Sequence, residues 1–349
     1  MTKTIAVVLS GAVAQGAFEA GALAVLVEKD VAITRIVSAS AGSLNAVALA
    51  TGVRGKNVAA MTQKIIELWR EHADWYDVFH LNPLKWFPFR GLSDQKKLLK
   101  LLVDNVAPAA KIAGAPAILL RMIVAPLGGR DGAIDGPDGR PMTTYERMIE
   151  FKDADFEDAA TLGRICEVAV ASAAFPGVFA PYDLGMVGKQ EVGPCIDGGS
   201  TNNTPIQYAL DAPESLDAIV VINPTVATGD PLDSSALEGV GLASQIVQML
   251  INERLYRDLY AVVRANRQLQ NLMKLVDNKT LDAAQYNAVL GALAVSDSPL
   301  VLPRIANIVQ IRPESPLPGN AFSGFRSQKD REAYIAAGQA RAEDQLKGW

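Results

Sequence analysis

Residues 31–52 have the sequence VAITRIVSASAGSLNAVALATG, which combines three local patterns. A β-branched run at 33–37 predicts a buried strand, and the small residues at 38–42 predict a tight turn. An Ala- and Leu-rich run at 43–50 then predicts a helix, with Gly52 as its C-terminal cap. The stretch is therefore expected to fold as a strand, a sharp turn and a helix.

Ser40 lies at the centre of this turn. A sharp strand-to-helix turn lifts such a side chain to the top of a sheet, and the N-terminus of the following helix points its partial positive charge at it. In the pattern G-x-S-x-G, Ser38 replaces the first glycine and Gly42 supplies the second. The stretch is compatible with a nucleophilic serine and equally with plain packing of a helix on a sheet.

Length and composition indicate a globular chain. It has 349 residues, 49% of them hydrophobic and 20% charged, with a formal net charge of −5. We expect one large α/β domain with insertions. Because the balance is acidic and no Lys/Arg-rich block occurs, nucleic acid is not expected as a partner. Any contact with a membrane surface should be hydrophobic and transient.

Cysteine usage and apolar runs bear on location. Cys166 and Cys195 fit neither a disulfide framework nor a zinc spacing, which predicts buried thiols in a reducing compartment. Residues 3–14 imitate a signal peptide, but cleavage there would remove a strand-like run. No apolar stretch reaches the roughly 18 residues of a membrane span. A cytoplasmic protein without a transmembrane segment is therefore expected.

A loop near the start of the chain offers a second candidate site. Residues 4–9 predict a buried strand, 10–16 (SGAVAQG) a loop, and 17–28 a helix. Free backbone N–H groups in such a loop can hold a phosphate or a developing oxyanion. A P-loop is excluded because Ala17 and Phe18 replace its Lys and Ser/Thr, and no G-x-G-x-x-G is present. A plain tight turn remains the alternative.

The two predicted strand–helix units place both loops at one edge of a mainly parallel sheet flanked by helices, where ligands gather. Another short apolar run ends at Asp197, which is followed by Gly198 and Gly199. An aspartate before two glycines is commonly a turn former. Asp197 is therefore a candidate base only together with a nucleophile.

The histidines decide between mechanisms. An α/β-hydrolase triad runs Ser, Asp, His along the chain, yet His72 and His80 both precede Asp197. Both histidines are expected to be ordinary surface or packing residues. If Ser40 is a nucleophile, its base is predicted to be a carboxylate.

Aromatic residues are concentrated at 75–89, interleaved with two prolines that argue against a long regular element. They are Trp75, Tyr76, Phe79, Trp86, Phe87 and Phe89. The cluster predicts either a satellite core under a long loop or a lid that meets an apolar substrate. We expect a lid or insertion at 73–160 and a mainly helical C-terminal segment at 232–300.

Four segments, in this order, resemble the patatin-like phospholipases, a family of serine acyl hydrolases with a Ser-Asp dyad. They are LSGAVAQGAFEAGAL (9–23), SASAG (38–42), ASAAFPGVFAPY (171–182) and DGGSTNNTP (197–205). The resemblance implies a three-layer α/β/α sandwich with a mainly parallel central sheet and a helical and aromatic insertion. It also implies a single domain over 1–349, completed by strands at 217–224 and 307–313 and a final helix from about residue 328.

The resemblance implies a role for each candidate residue. Ser40 would be the nucleophile and Asp197 the base that takes its proton. Supporting positions would be Ser38 and Gly42 at the elbow, Gly198 and Gly199 after the aspartate, and, as oxyanion donors, the N–H groups of Gly11, Ala12 and Val13. The family's glycine triplet is here reduced to Gly11, and Val13 is expected to resist a positive φ.

The implied activity is hydrolysis of lipid ester bonds, of phospholipase A or lysophospholipase type, through an acyl-enzyme. No cofactor and no metal is expected. A lipid or another acyl ester would be the substrate. Two alternatives are an acyl thioesterase or non-specific esterase with the same dyad, and a catalytically impaired protein that binds lipid or acts as a scaffold.

Overall fold

The structure, a computed structural model, describes residues 2–81, 93–106, 114–135, 141–210, 216–226, 240–294 and 306–349. The strands are β1 (Lys3–Leu9), β2 (Val31–Ala39), β3 (His80–Leu81), β4 (Ser93–Asp94), β5 (Leu119–Pro126), β6 (Arg130–Asp135), β7 (Pro141–Thr144), β8 (Arg147–Lys152), β9 (Tyr182–Asp183), β10 (Met186–Val187), β11 (Gln190–Glu191), β12 (Pro194–Ile196), β13 (Ala218–Ile222) and β14 (Ile308–Ile311). The helices are α1 (Gly16–Leu26), α2 (Ala41–Arg54), α3 (Val58–His72), α4 (Trp75–Val78), α5 (Lys96–Asn105), α6 (Ala159–Ser172), α7 (Gly199–Asn202), α8 (Gln207–Leu210), α9 (Val240–Asp277), α10 (Ala283–Ala294) and α11 (Gln328–Gln345).

A central sheet of eight strands organises the described residues, in the order β14-β13-β1-β2-β5-β12-β9, with β8 also paired to β5. The five strands from β14 to β5 run parallel to one another. The strands β8 and β12 are antiparallel to β5, and β9 is antiparallel to β12. The mainly parallel sheet predicted from the continuous apolar strands is confirmed.

The sheet lies between two helical layers. Alternate residues of β1 face opposite sides, because side chains alternate along a strand. Ile5, Val7 and Leu9 pack into the larger core with α1, α2, α3, α6 and α11. Ala6 and Val8 pack on the other face, in a core that includes residues of α8 and α9. The predicted three-layer α/β/α sandwich is therefore confirmed.

One helix boundary was predicted wrongly. Helix α2 continues through Gly52 to Arg54, and Gly55 is its C-cap. A Cβ on Gly52 would lie 2.8 Å from the Met61 Cβ of α3, so the absence of a side chain allows close packing of the two helices. Gly52 thus serves helix packing and does not end the helix.

The predicted aromatic and helical segments are partly described. Trp75 and Phe79 belong to the structure, whereas Trp86, Phe87 and Phe89 lie outside the described residues. The strands β6 and β7 form an antiparallel pair, and residues 136–140 between them lie outside the described residues. Helices α9 and α10 occupy the segment predicted to be helical. Among the described helices, none is long and apolar enough to cross a membrane.

Candidate active site

Ser40 occupies the sharp turn between β2 and α2. Its backbone has φ 52° and ψ −133°, a conformation in which a residue with a side chain is strained. The residue is buried. A Cβ on Gly42 would lie 2.8 Å from the carbonyl carbon of Leu9, so Gly42 allows α2 to approach β1 closely. The predicted strand, turn and helix are all present, with Ser40 at the turn.

A chain of hydroxyl groups holds the backbone of this turn. The Ser40 N–H donates to Ser172 Oγ at 2.9 Å, and Ser172 Oγ donates to the Ile123 carbonyl at 2.6 Å. Ser43 Oγ also donates to Ser172 Oγ at 3.0 Å and lies 3.1 Å from Ser38 Oγ. The hydroxyl that Ser38 introduces in place of glycine therefore has a partner.

Sequence reasoning did not identify Ser172 as a functional residue. Its one signal was its place in the segment 171–182, which resembles a packing block. The segment shows small residues but not that one of them accepts the N–H of Ser40, because this contact spans 132 positions of the chain. Ser172 supports the strained turn from the end of α6.

Asp197 lies against the serine. Its Oδ2 accepts from Ser40 Oγ at 2.5 Å, and its Oδ1 accepts from the Gly199 N–H at 2.7 Å. Burial raises the pKa of Asp197 to about 7, although the bonds from Ser40 and Gly199 lower it in part. A carboxyl with this pKa can exchange a proton near neutral pH, which suits a general base.

The two glycines after Asp197 are required by close approach. A Cβ on Gly198 would lie 1.9 Å from the Ile123 carbonyl oxygen. A Cβ on Gly199 would lie 2.9 Å from Asp197 Oδ1 and 2.4 Å from Asn203 Oδ1. A side chain at position 198 would therefore push this segment away from β5. A side chain at position 199 would collide with the carboxylate of Asp197.

The loop at 10–16 lies next to the serine. A Cβ on Gly11 would be 2.3 Å from Ser40 Cβ, so only glycine fits there. The Gly11 N–H donates to the Asn203 carbonyl at 3.3 Å and is engaged. Within the described residues, the N–H groups of Ala12 and Val13 donate to no acceptor. Of the three expected donors, these two are available to a ligand.

Val13 has a left-handed backbone with φ 53°. We expected this β-branched residue to resist a positive φ, and it adopts one all the same. The cost of such a conformation is on the order of 1–2 kcal/mol. The loop is held from the other side, because the Ala14 N–H donates to the Ala321 carbonyl at 3.0 Å. The strain is therefore maintained by the surrounding structure.

An apolar cavity of about 90 Å³ adjoins Ser40 and Asp197. This is several times the roughly 10–15 Å³ that one water molecule needs. Residues of α2, α3 and α5 form its long walls, among them Ala41, Leu44, Ala48, Ile65, Leu68 and Leu102. Pockets of this kind hold apolar ligands.

Asn45 also lines this cavity, but its polar atoms are used elsewhere. Its Nδ2 donates to the Gly16 carbonyl at 3.0 Å and to Glu19 Oε2 at 2.9 Å. Its Oδ1 accepts from Trp69 Nε1 at 2.7 Å. Burial raises the pKa of Glu19 well above its ordinary value, which favours the uncharged carboxyl. The carboxyl of Glu19, which lies behind Asn45, therefore adds no negative charge next to the cavity.

The described part of the aromatic segment stands behind one wall of the cavity. Phe79 stacks on Trp75 and on Phe179, with centroid distances of 4.2 and 5.1 Å. It also makes an edge contact with Phe325 at 5.0 Å. Tyr76 is 80% exposed. Through Phe79, this segment packs against Phe179 and Phe325, which line the cavity.

The candidates for other chemistry are placed apart from this pair. His72 Nδ1 lies 3.3 Å from Asp77 Oδ2, on a half-exposed part of the cavity rim. The side chain of His80 lies outside the described residues. Burial raises the pKa of Cys166 and of Cys195 to about 12, so neither thiol is ionised near neutral pH. Among the described residues, no group of three or more His, Cys, Asp or Glu side chains is arranged for a metal ion.

Comparison with known proteins identifies the family of the chain. A family model described as patatin-like phospholipase matches residues 7–210, more than half of the chain. No curated protein matches the chain. VipD from Legionella pneumophila is similar at 15% identity and a TM-score of 0.37, over 99% of this chain and 66% of VipD. The ExoU-SpcU complex of the Pseudomonas aeruginosa type III secretion system gives 14% identity and a TM-score of 0.29, over 98% of this chain and 75% of that one.

Proposed function

Because the chain belongs to the patatin-like phospholipase family, we propose that it is a serine acyl hydrolase that cleaves lipid esters through Ser40 and Asp197. The observation that carries this proposal is the buried hydrogen bond from Ser40 Oγ to Asp197 Oδ2, 2.5 Å long, beside an apolar cavity. A nucleophile within hydrogen-bond reach of a base is the arrangement that acyl transfer requires.

In the first step, Asp197 accepts the proton of Ser40 while Oγ attacks the ester carbonyl. The raised pKa of Asp197 makes its carboxylate a stronger base than an exposed aspartate. The alcohol leaves with a proton returned from Asp197, and the acyl group stays on Ser40. Water then attacks this ester while Asp197 accepts its proton, and Asp197 returns that proton to Ser40 Oγ as the bond from Oγ to the acyl carbon breaks and the fatty acid is released.

The negative oxygen of the tetrahedral intermediate needs hydrogen-bond donors. The N–H groups of Ala12 and Val13 belong to the loop that packs on Ser40, and neither donates to another described residue. Backbone donors fixed before the reaction stabilise the developing charge without reorganisation. We assign these two groups to the oxyanion hole.

The cavity supports the proposed substrate class. Most of its lining residues are aliphatic or aromatic, and Ser40 is one of them. The acyl chain of a lipid would enter it while the carbonyl stays at the nucleophile. Contact with a lipid surface would be transient and hydrophobic, and the substrate would be of phospholipase A or lysophospholipase type. A substrate panel would separate these esters from thioesters.

The proposal includes a single domain with a lid or insertion at 73–160. It is supported by Phe79, which stacks on Trp75 and on Phe179 and makes an edge contact with Phe325. These contacts join the segment to Phe179 and Phe325, which line the cavity. The reducing location expected from the two buried cysteines, the cytoplasm, is part of the same proposal.

Labelling by a fluorophosphonate probe tests the function. The native protein should be labelled, and Ser40→Ala should not. Ser200→Ala is the matched control, because Ser200 is an exposed serine in α7, three residues after Asp197, and this variant should be labelled fully. Hydrolysis of p-nitrophenyl esters should follow the labelling. Equal labelling and hydrolysis by Ser40→Ala would overturn the proposal.

A further inference from the structure

Asn203 connects the aspartate loop to the loop at 10–16. Its Nδ2 donates to the Gly11 carbonyl at 2.8 Å, and its own backbone carbonyl accepts from the Gly11 N–H at 3.3 Å. The residue is 1% exposed. Gly11 is therefore held at both its N–H and its C=O by one residue that lies 192 positions further along the chain.

The orientation of the Asn203 amide is set by this contact. Exchange of Oδ1 and Nδ2 would bring two carbonyl oxygens to 2.8 Å, which is repulsive. In the observed orientation, Oδ1 is buried and has no hydrogen-bond partner among the described residues. A buried acceptor without a partner is unfavourable. The Asn203 side chain thus donates to Gly11 although this orientation leaves its own Oδ1 buried without a partner.

That bond controls more than the Gly11 carbonyl. A peptide unit is planar and almost always trans, so the C=O of one residue and the N–H of the next point in opposite directions. Fixing the Gly11 carbonyl therefore fixes the direction of the Ala12 N–H. The same peptide follows Gly11, whose Cα lies against the Ser40 side chain.

Building on the proposed function, we infer that Asn203 is a positioning residue for the oxyanion hole. By holding the Gly11 carbonyl, it directs the Ala12 N–H toward the oxygen of the tetrahedral intermediate at Ser40. Asn203 does not touch the reacting atoms, and it acts through the Gly11–Ala12 peptide. Its bond matters most in the transition state, because the negative charge on this oxygen develops there.

Asn202 provides a matched control for the test. It is 0% exposed, and its Oδ1 is likewise buried without a partner. Its Nδ2 donates to Glu146 Oε1 at 2.9 Å and not to the loop at 10–16. Asn202→Ala and Asn203→Ala therefore each remove one buried amide and one hydrogen bond, and only Asn203→Ala releases the Gly11 carbonyl.

Steady-state kinetics with p-nitrophenyl butyrate, measured across pH, separate the two variants. Asn203→Ala should lower kcat about 10- to 100-fold and leave KM within about 2-fold, because only transition-state binding is lost. The midpoint of its pH profile should not move, since Asp197 keeps its partners. Asn202→Ala should keep kcat within about 3-fold of the native value. If Asn203→Ala does not fold, Asn203→Ser, whose shorter side chain lacks the Nδ2 donor, carries the same expectation.

If Ser40→Ala is inactive, any of three results would overturn the inference. They are an equal loss of kcat in Asn202→Ala and Asn203→Ala, a rise in the KM of Asn203→Ala at constant kcat, and a shift in the midpoint of its pH profile. The function would then stand without this role for Asn203. Hydrolysis that survives Ser40→Ala would overturn both the proposed function and the role of Asn203, because no oxyanion would then form at Ser40.

Discussion

The Ser40 hydroxyl donates to Asp197 Oδ2 over 2.5 Å, although the two residues are 157 positions apart in the chain. Both side chains are buried, and the second carboxylate oxygen is held by the Gly199 N–H. Among the described residues, the Ser40 hydroxyl donates to a carboxylate and not to a histidine.

Asp197→Asn should reduce ester hydrolysis nearly to the level of Ser40→Ala, because asparagine keeps the shape but cannot accept a proton. The losses in the double variant should not add, as expected of residues that act as one unit. His72→Ala and His80→Ala should each leave hydrolysis largely intact. Steady-state kinetics on one p-nitrophenyl ester measure all variants. Abolished turnover in a histidine variant, with activity retained in Asp197→Asn, would contradict the dyad.

The pH dependence of activity should follow the ionisation of Asp197. Burial raises the pKa of this residue to about 7, and the ionised form is the base. The logarithm of kcat/KM should therefore rise with unit slope below that pH and level off above it. A profile that stays flat down to about pH 5 would show that Asp197 is not the titrating base.

The pH dependence of stability should have the opposite sign. The pKa of Asp197 is about 7 in the folded protein against an ordinary value of 3.8, so the folded state binds the proton more tightly. The stabilisation that comes from this tighter proton binding is fully present below pH 4 and is lost as the pH rises to about 7. Above that pH, the free energy of unfolding of Asp197→Asn should exceed that of the native protein by on the order of 4 kcal/mol. Chemical denaturation of both proteins at pH 5 and pH 8 measures this difference.

Val13→Gly should be more stable than Val13→Ala by about 1 kcal/mol, because φ at this position is 53° and glycine adopts it without strain. Ala12→Gly is the neighbouring control. Ala12 has an extended φ of −158°, so glycine there should lower stability by roughly 0.5–1 kcal/mol. Thermal unfolding compares the three. Since the backbone already has the positive φ, Ala12→Gly combined with Val13→Gly should not raise kcat.

Ser172→Ala should lower kcat about 10-fold and stability by roughly 1–3 kcal/mol, because the buried N–H of Ser40 loses its acceptor. Ser43→Ala removes a hydroxyl from the same network but leaves the bond between Ser40 and Ser172 intact. Its loss of kcat should be clearly smaller. Equal losses in the two variants would show that the network acts only through general packing.

Ala48→Leu should shorten the preferred acyl chain. Ala48 lines the cavity two turns beyond Ser40 on α2, which corresponds to about 12 Å along a helix. An extended chain advances about 1.2 Å per bond, so a chain of about ten carbons would reach this residue. The variant should lose about 10-fold or more in kcat/KM on a dodecanoyl ester and keep its value on a butanoyl ester. Similar losses on both esters would indicate overpacking.

Local patterns in the sequence determined the elements of the fold. The continuous apolar run of β1 and the β-branched run of β2 predicted strands of a parallel sheet, and small residues at 38–42 predicted the turn at Ser40. These predictions hold because strand and turn preferences depend on neighbours within a few residues. The prediction that Gly52 caps the helix was wrong because the role of this glycine depends on a contact with α3, which lies outside the helix to which Gly52 belongs.

The tertiary structure decided how these elements form a site. The sequence placed Asp197 only at the end of a short apolar run, whereas the structure pairs β12 antiparallel with β5 and brings Asp197 to Ser40. The bonds of Ser172 to Ser40 and of Asn203 to Gly11 depend on the same topology. The raised pKa of Asp197 comes from burial by many chain segments together. Such contacts join residues more than a hundred positions apart, and a local pattern of residue types carries no information about which distant segments the folded chain will bring together.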